Sequence, residues 1–212
     1  MKGKFIVFEG LDGSGTSTQA SLLRDYFLSL KSSAYLTSEP SDGPIGTMIR
    51  QAFKGRINFP KGSISSGSGD LFDQQMAYLF AADRHDHLYN EVDGVFKHLE
   101  EGATVISTRY FFSSYAYHCQ SEDDFSLVKD LNSKFPNPDL VVYLKAPVEV
   151  SINRLHSRPF RDEYENEKKL RIVSENYERI FTDYQGEFLT IDANRGIQEI
   201  HECIIDKVKS LA

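Results

Sequence analysis

The stretch FEGLDGSGTSTQ, residues 8–19, has the spacing of a phosphate-binding loop, G-x-x-x-x-G-K-[ST], with Thr16 where that pattern has lysine. Gly10, Gly13 and Gly15 fall between an apolar run, KFIVFEG, and a segment, TSTQASLLRDYFLSLK, whose apolar residues recur at helical spacing. Glycine permits the backbone angles that turn several N–H groups toward one anion. The helix that follows adds its positive N-terminal end. A plain glycine-rich turn would account for the glycines alone, but not for a strand before, a helix after and the full spacing. Ser14, Gly15, Thr16, Ser17 and Thr18 are therefore candidate ligands of a nucleotide's phosphates. Thr16 can donate one hydrogen bond and no charge. Losing one preorganised stabiliser of transferring charge costs about 3–4 kcal/mol, or roughly 10²–10³ in rate, unless another cation takes its place.

Outward from this loop the pattern alternates. Short apolar runs at KFIVFEG, AYLTSEP, ATVIST, DLVVYLKAP and EFLTIDA read as strands. Residues 44–54, 69–100, 111–119, 123–134, 147–157, 166–185 and the segment GIQEIHECIIDKVKSL read as helices. Residues 55–70, rich in Gly and Ser, read as a surface loop. Five apolar strands separated by helices predict an α/β fold with a parallel sheet covered on both faces. Ligands of such sheets sit beyond the carboxyl ends of the strands, where the glycine loop, Glu39 and Arg109 fall.

The 212 residues suffice for one substantial domain. A net charge of −7 argues against a broad nucleic-acid grip, yet leaves room for a small anionic substrate at a local basic cluster. Two distant cysteines, Cys119 and Cys203, suit a reducing compartment. No signal peptide is expected in the opening MKGKFIVFEG, and no run approaches the roughly 18 apolar residues of a membrane span. A cytoplasmic protein is expected. The six histidines show no metal-ligand spacing, and His85 and His87 read as surface residues.

FEGLDGSGTSTQ, TSEPSDGPIG, YLFAADRHDH and STRYFFSSYAYH, in that order and spacing, resemble the thymidylate kinase (dTMP kinase) family from residue 4 to near the C-terminus. The resemblance implies a P-loop nucleoside monophosphate kinase fold, a five-stranded parallel sheet flanked by helices. It implies one domain over residues 1–212 with a lid at about 154–167, the substrates ATP and dTMP, Mg²⁺ and a homodimer. Ser17 would help hold the metal. Asp12 would contact the acceptor's 3′-hydroxyl, and Glu39 would act near the metal and phosphates. Phe80 and Arg84, one helical turn apart, would stack on thymine and bond its exocyclic oxygen; an aromatic face beside a planar donor suits a neutral base. Arg50 would join the monophosphate site, and Arg109 would bind the acceptor phosphate. Ser113, Ser114 and Tyr117 would frame the base and deoxyribose, with the tyrosine crowding the 2′ position.

Three positions depart from the family pattern: Thr16, Thr108 where aspartate usually precedes the arginine, and His118 where glutamine is common. Losing one cation and one anion together keeps the local charge sum. Related enzymes carry a basic residue either in the loop or in the lid. Gly13 puts this chain with the lid type, so Arg158 or Arg161 would cover for Thr16, and Arg154 would lie near the adenine. Two further readings stay open: a kinase for another monophosphate such as dUMP, and a catalytically weak nucleotide-binding paralogue.

Overall fold

Strand β1, Phe5–Gly10, is buried at all six positions. Its side chains alternate between two cores, as a strand with both faces covered requires. Phe5 and Val7 join one cluster and Ile6 and Phe8 the other. Ile6 and Phe8 are fully enclosed, each stabilising the fold by about 1.5–3 kcal/mol. The computed structural model describes residues 3–64, 68–156, 164 and 166–211. After β1 come α1 Thr16–Ser29, β2 Ala34–Ser38, α2 Pro44–Phe53, β3 Ser63–Ile64, β4 Ser68–Asp70, α3 Leu71–Tyr89 and α4 Val95–Glu100. There follow β5 Thr104–Thr108, α5 Phe111–His118, α6 Glu122–Asn132, β6 Leu140–Lys145, α7 Val148–His156, α8 Glu167–Asp183, β7 Phe188–Asp192 and α9 Ile197–Lys209.

The main sheet has the order β2-β5-β1-β6-β7, and every neighbouring pair is parallel. The chain winds to one side of β1 and then to the other, which opens a crevice beyond the carboxyl end of β1. Register brings the strand ends level: Phe8 and Ser38 both align with Thr108. The Glu39 N–H then donates to the Thr108 carbonyl at 3.0 Å, and the Arg109 N–H to the Phe8 carbonyl at 2.8 Å. Glu39 and Arg109 thus leave the sheet side by side.

Two expectations need correction. The span 69–100 is two helices, because the Asn90 side chain accepts from Val92 N at 2.7 Å and closes a turn. Gly94 then passes so close that a Cβ there would meet the Asn90 carbonyl oxygen at 2.3 Å. Residues 55–70 are not wholly loop: β3 and β4 pair antiparallel, and Asp70 caps α3 by accepting from Phe72 N at 2.8 Å. Among the described residues no helix is long and apolar enough to cross a membrane.

Candidate active site

The loop after β1 bounds a cavity of about 440 Å³, lined by residues 12–19 with Glu39, Thr108, Arg109 and Arg154. Gly15 precedes α1 at φ 102°, a left-handed conformation that favours glycine. Ser17 and Thr18 are exposed at the start of α1, while Ser14 is buried. Gly10 lies behind them at the strand end. Thr16 and Thr108 share this cavity wall. The Arg154 guanidinium donates to the Gly13 carbonyl at 3.1 Å and to the Ala193 carbonyl at 3.1 Å, joining α7 to the loop and to the turn after β7.

A second cavity of about 320 Å³ adjoins the first. Asp12, Glu39 and Arg109 line both. Phe80, Arg50, Ser113, Ser114, Tyr117 and His118 line the second, so most of the expected acceptor residues converge there. Arg50 donates to the Pro40 and Ser41 carbonyls, each at 2.6 Å, and fixes the turn that follows Glu39.

Arg109 sits between the cavities at φ 74°, rare for a residue with a side chain. Its Nη2 donates to Asp12 at 2.6 Å and to the Tyr117 hydroxyl at 3.1 Å. Its Nη1 faces the Ser113 hydroxyl at 3.0 Å. Burial opposes the charge of Arg109, but Asp12, then Tyr117, Tyr177 and Glu9, carry its pKa well above that of a free arginine. Tyr117 bonds Asp12 at 2.9 Å, and burial first of all raises its phenol well above 10.

Arg84 departs from its expected place. It is fully buried and does not line the cavity. Its guanidinium grips Glu39 Oε2 through Nε at 2.9 Å and Nη2 at 2.6 Å, and also reaches Asn132 and Ser114. The physical reason is Glu39 itself, a carboxylate only 3% exposed that needs a paired cation. His87 is likewise a correction: it is buried, with Nε2 2.7 Å from the Thr37 hydroxyl and Nδ1 3.4 Å from Glu39 Oε1.

Arg158 and Arg161 lie outside the described residues. Tyr164, from the same segment, is described and stands in the wall of the second cavity, its ring 5.7 Å from Tyr117 and 5.1 Å from Phe53. Just beyond it, Lys169 pairs with Asp73 at 2.6 Å and ties α8 to α3. Burial, then Lys169 and Arg84, hold the His118 imidazole well below its ordinary pKa of 6.5, so it is neutral at pH 7.

Sequence reasoning missed Glu9, Tyr164 and Tyr177. Glu9 carried a signal, a carboxylate inside a wholly apolar strand. Tyr177 and Tyr164 carried none, because aromatic residues at helical spacing read as ordinary core.

A parallel sheet of this order, a glycine loop at the end of β1 and a second cavity across Arg109 define a P-loop nucleoside monophosphate kinase. The fold is similar to a solved thymidylate kinase from Candida albicans, with TM-score 0.75 and 21% identity, covering 99% of this chain and 92% of that one. The Thymidylate kinase family model matches residues 8–204. A probable thymidylate kinase of Thermococcus kodakarensis is 38% identical over 209 residues, 98% of each chain. A putative thymidylate kinase of Treponema pallidum is 35% identical over 211 residues, 97% of this chain and 94% of its own. The chain belongs to the thymidylate kinase family.

Proposed function

We propose that the chain transfers the γ-phosphoryl group of ATP to dTMP, giving ADP and dTDP for dTTP synthesis. The observation that carries this reading is the junction of two cavities along one wall of Asp12, Glu39 and Arg109. A glycine loop lies on one side of that wall and Phe80 with Tyr164 on the other.

In this reading the loop N–H groups from Gly13 to Thr18 hold the ATP phosphates. Arg154 braces the loop near the adenine, at the turn containing Ala193. The dTMP base lies against Phe80 and Tyr164, framed by Ser114 and His118. Its phosphate meets Arg109, with Arg50 and Ser113 nearby, and Asp12 takes its 3′-hydroxyl. A phosphate oxygen of dTMP attacks the γ-phosphorus and ADP departs. Such a transfer needs positioning and charge neutralisation more than covalent chemistry. Arg158 or Arg161, both outside the described residues, supplies the cation that covers for Thr16.

The Ser17 hydroxyl is exposed on the loop cavity, and Glu39 lines the same cavity. Among the described residues no group of three His, Cys, Asp or Glu could hold a metal alone. Mg²⁺ bound through nucleotide oxygens and water needs only one or two protein oxygens, so the donors present fit it. When bound, it neutralises charge on the β- and γ-phosphates. Family membership supports a homodimer working in the cytoplasm, and sedimentation equilibrium is expected to give twice the chain mass.

The test is ADP release with ATP and Mg²⁺ across dTMP, dUMP and other monophosphates. Highest kcat/KM with dTMP is expected. A strong preference for another monophosphate would displace the assignment, and background turnover with both ligands bound would leave a nucleotide-binding paralogue. The same assay on Thr16→Lys, Thr108→Asp and the double variant tests whether the two threonines compensate. We expect Thr16→Lys to change turnover by less than the roughly 10²–10³ that one uncovered stabiliser is worth. The pair is expected to deviate from additivity; independent effects would sink the compensation.

A further inference from the structure

Glu9 is fully buried and reaches neither cavity, yet its carboxylate accepts three hydrogen bonds. Its Oε1 accepts from the Tyr110 N–H at 2.8 Å. Its Oε2 accepts from the Ser113 hydroxyl at 2.7 Å and the Tyr177 hydroxyl at 2.8 Å. These two hydroxyls lie 3.0 Å apart, and Arg109 Nη1 contacts Ser113 at 3.0 Å and Tyr177 at 3.4 Å. Glu9 therefore grips the peptide that follows Arg109 and, through two hydroxyls, the near side of its guanidinium.

The backbone is pinned as well. Arg109 N–H donates to Phe8 O at 2.8 Å, and Arg109 O accepts from the Ser107 hydroxyl at 2.9 Å. These bonds hold the residue at φ 74°, a conformation that persists only when its surroundings over-determine it. The opposite side of the guanidinium differs. Nη2 pairs with Asp12, whose side chain is 22% exposed on the shared cavity wall. Both members of this pair line the second cavity.

We propose that Glu9 is a positioning residue for Arg109, acting through Ser113 and Tyr177, while Asp12 is the exchangeable partner. The proposal rests on the acceptor reading above. The acceptor phosphate takes Asp12's place at Nη2, and the freed Asp12 carboxylate turns to the sugar hydroxyl. Glu9 keeps Nη1 where it was, so the guanidinium does not follow Asp12. One carboxylate is fully buried; the other is 22% exposed on the wall of both cavities. Tyr177 brings α8, the helix that follows the lid segment, into the same anchor.

The test is calorimetric binding of dTMP and of thymidine, which lacks the phosphate, to the full chain. Wild type, Glu9→Gln and Tyr177→Phe are compared, with KM for both substrates. Both variants are expected to weaken dTMP by about tenfold or more, the scale of a lost charge-assisted contact, and to leave thymidine within about twofold. KM for dTMP rises and KM for ATP holds. Ser113→Ala is expected to behave like Tyr177→Phe. It keeps the question open to refutation if Glu9→Gln does not fold. Equal weakening of dTMP and thymidine, or unchanged dTMP in the hydroxyl variants, overturns the anchor. A wild type that binds neither ligand overturns the acceptor reading instead, and the anchor with it.

Discussion

At Arg84 a guanidinium with no exposed surface is held by Glu39, Asn132 and Ser114. Arg84→Leu leaves the Glu39 carboxylate buried beside only a histidine. We expect a loss of about 3–5 kcal/mol in urea unfolding, partly recovered by adding Glu39→Gln. The residue also shows what spacing hides. Phe80 and Arg84 lie one turn apart, and the family resemblance implied that both touch the base. Phe80 reached the cavity wall, whereas Arg84 went behind it, because a carboxylate 45 positions earlier in the chain demanded its charge. Long-range pairing of this kind leaves no periodic trace. His118 offers a pH test. Its folded pKa lies well below 6.5, so below about pH 6.5 the unfolded chain binds a proton that the folded chain does not. Its contribution is complete above pH 6.5 and is lost as pH falls toward the folded pKa. His118→Gln is expected to flatten that part of the stability profile, with the weaker, parallel effect of His201 remaining.

The elements most legible in the sequence were those with one strong period. β1 and β6 are nearly continuous apolar runs and, with β5, appear where expected. The break after α3 was hidden because a side-chain turn at Asn90 overrides an otherwise helical composition. β3 and β4 were hidden because two- and three-residue strands are too short to show alternation. Packing between α2 and the Glu39 turn was equally invisible. There Gly46 lies so close that a Cβ would stand 2.0 Å from the Ser41 carbonyl oxygen and 2.6 Å from its nitrogen. Gly46→Ala must push the helix from the turn, which Arg50 holds by the Pro40 and Ser41 carbonyls and Asp83 by accepting from the Ser41 N–H at 2.7 Å. We expect a loss of about 3 kcal/mol by denaturant midpoint and a raised KM for dTMP, since Glu39 and Pro40 line that cavity.

Across the whole molecule, the strand order follows from alternating strands and helices, and the location of the ligand crevice follows from the strand order. What sequence could not supply was the arrangement of side chains arriving from β1, β2, β5, α3 and α8 at one point. That convergence has a kinetic consequence. Asp12, Glu39 and Arg109 line two adjoining cavities, so in the proposed reading neither substrate has to vacate its place for the other to arrive. The phosphoryl group can pass directly between two guests resident together, with no phosphorylated protein as a waystation. Initial-rate plots against both substrates are expected to intersect rather than run parallel, and no isotope exchange between ATP and ADP should occur until dTMP is added.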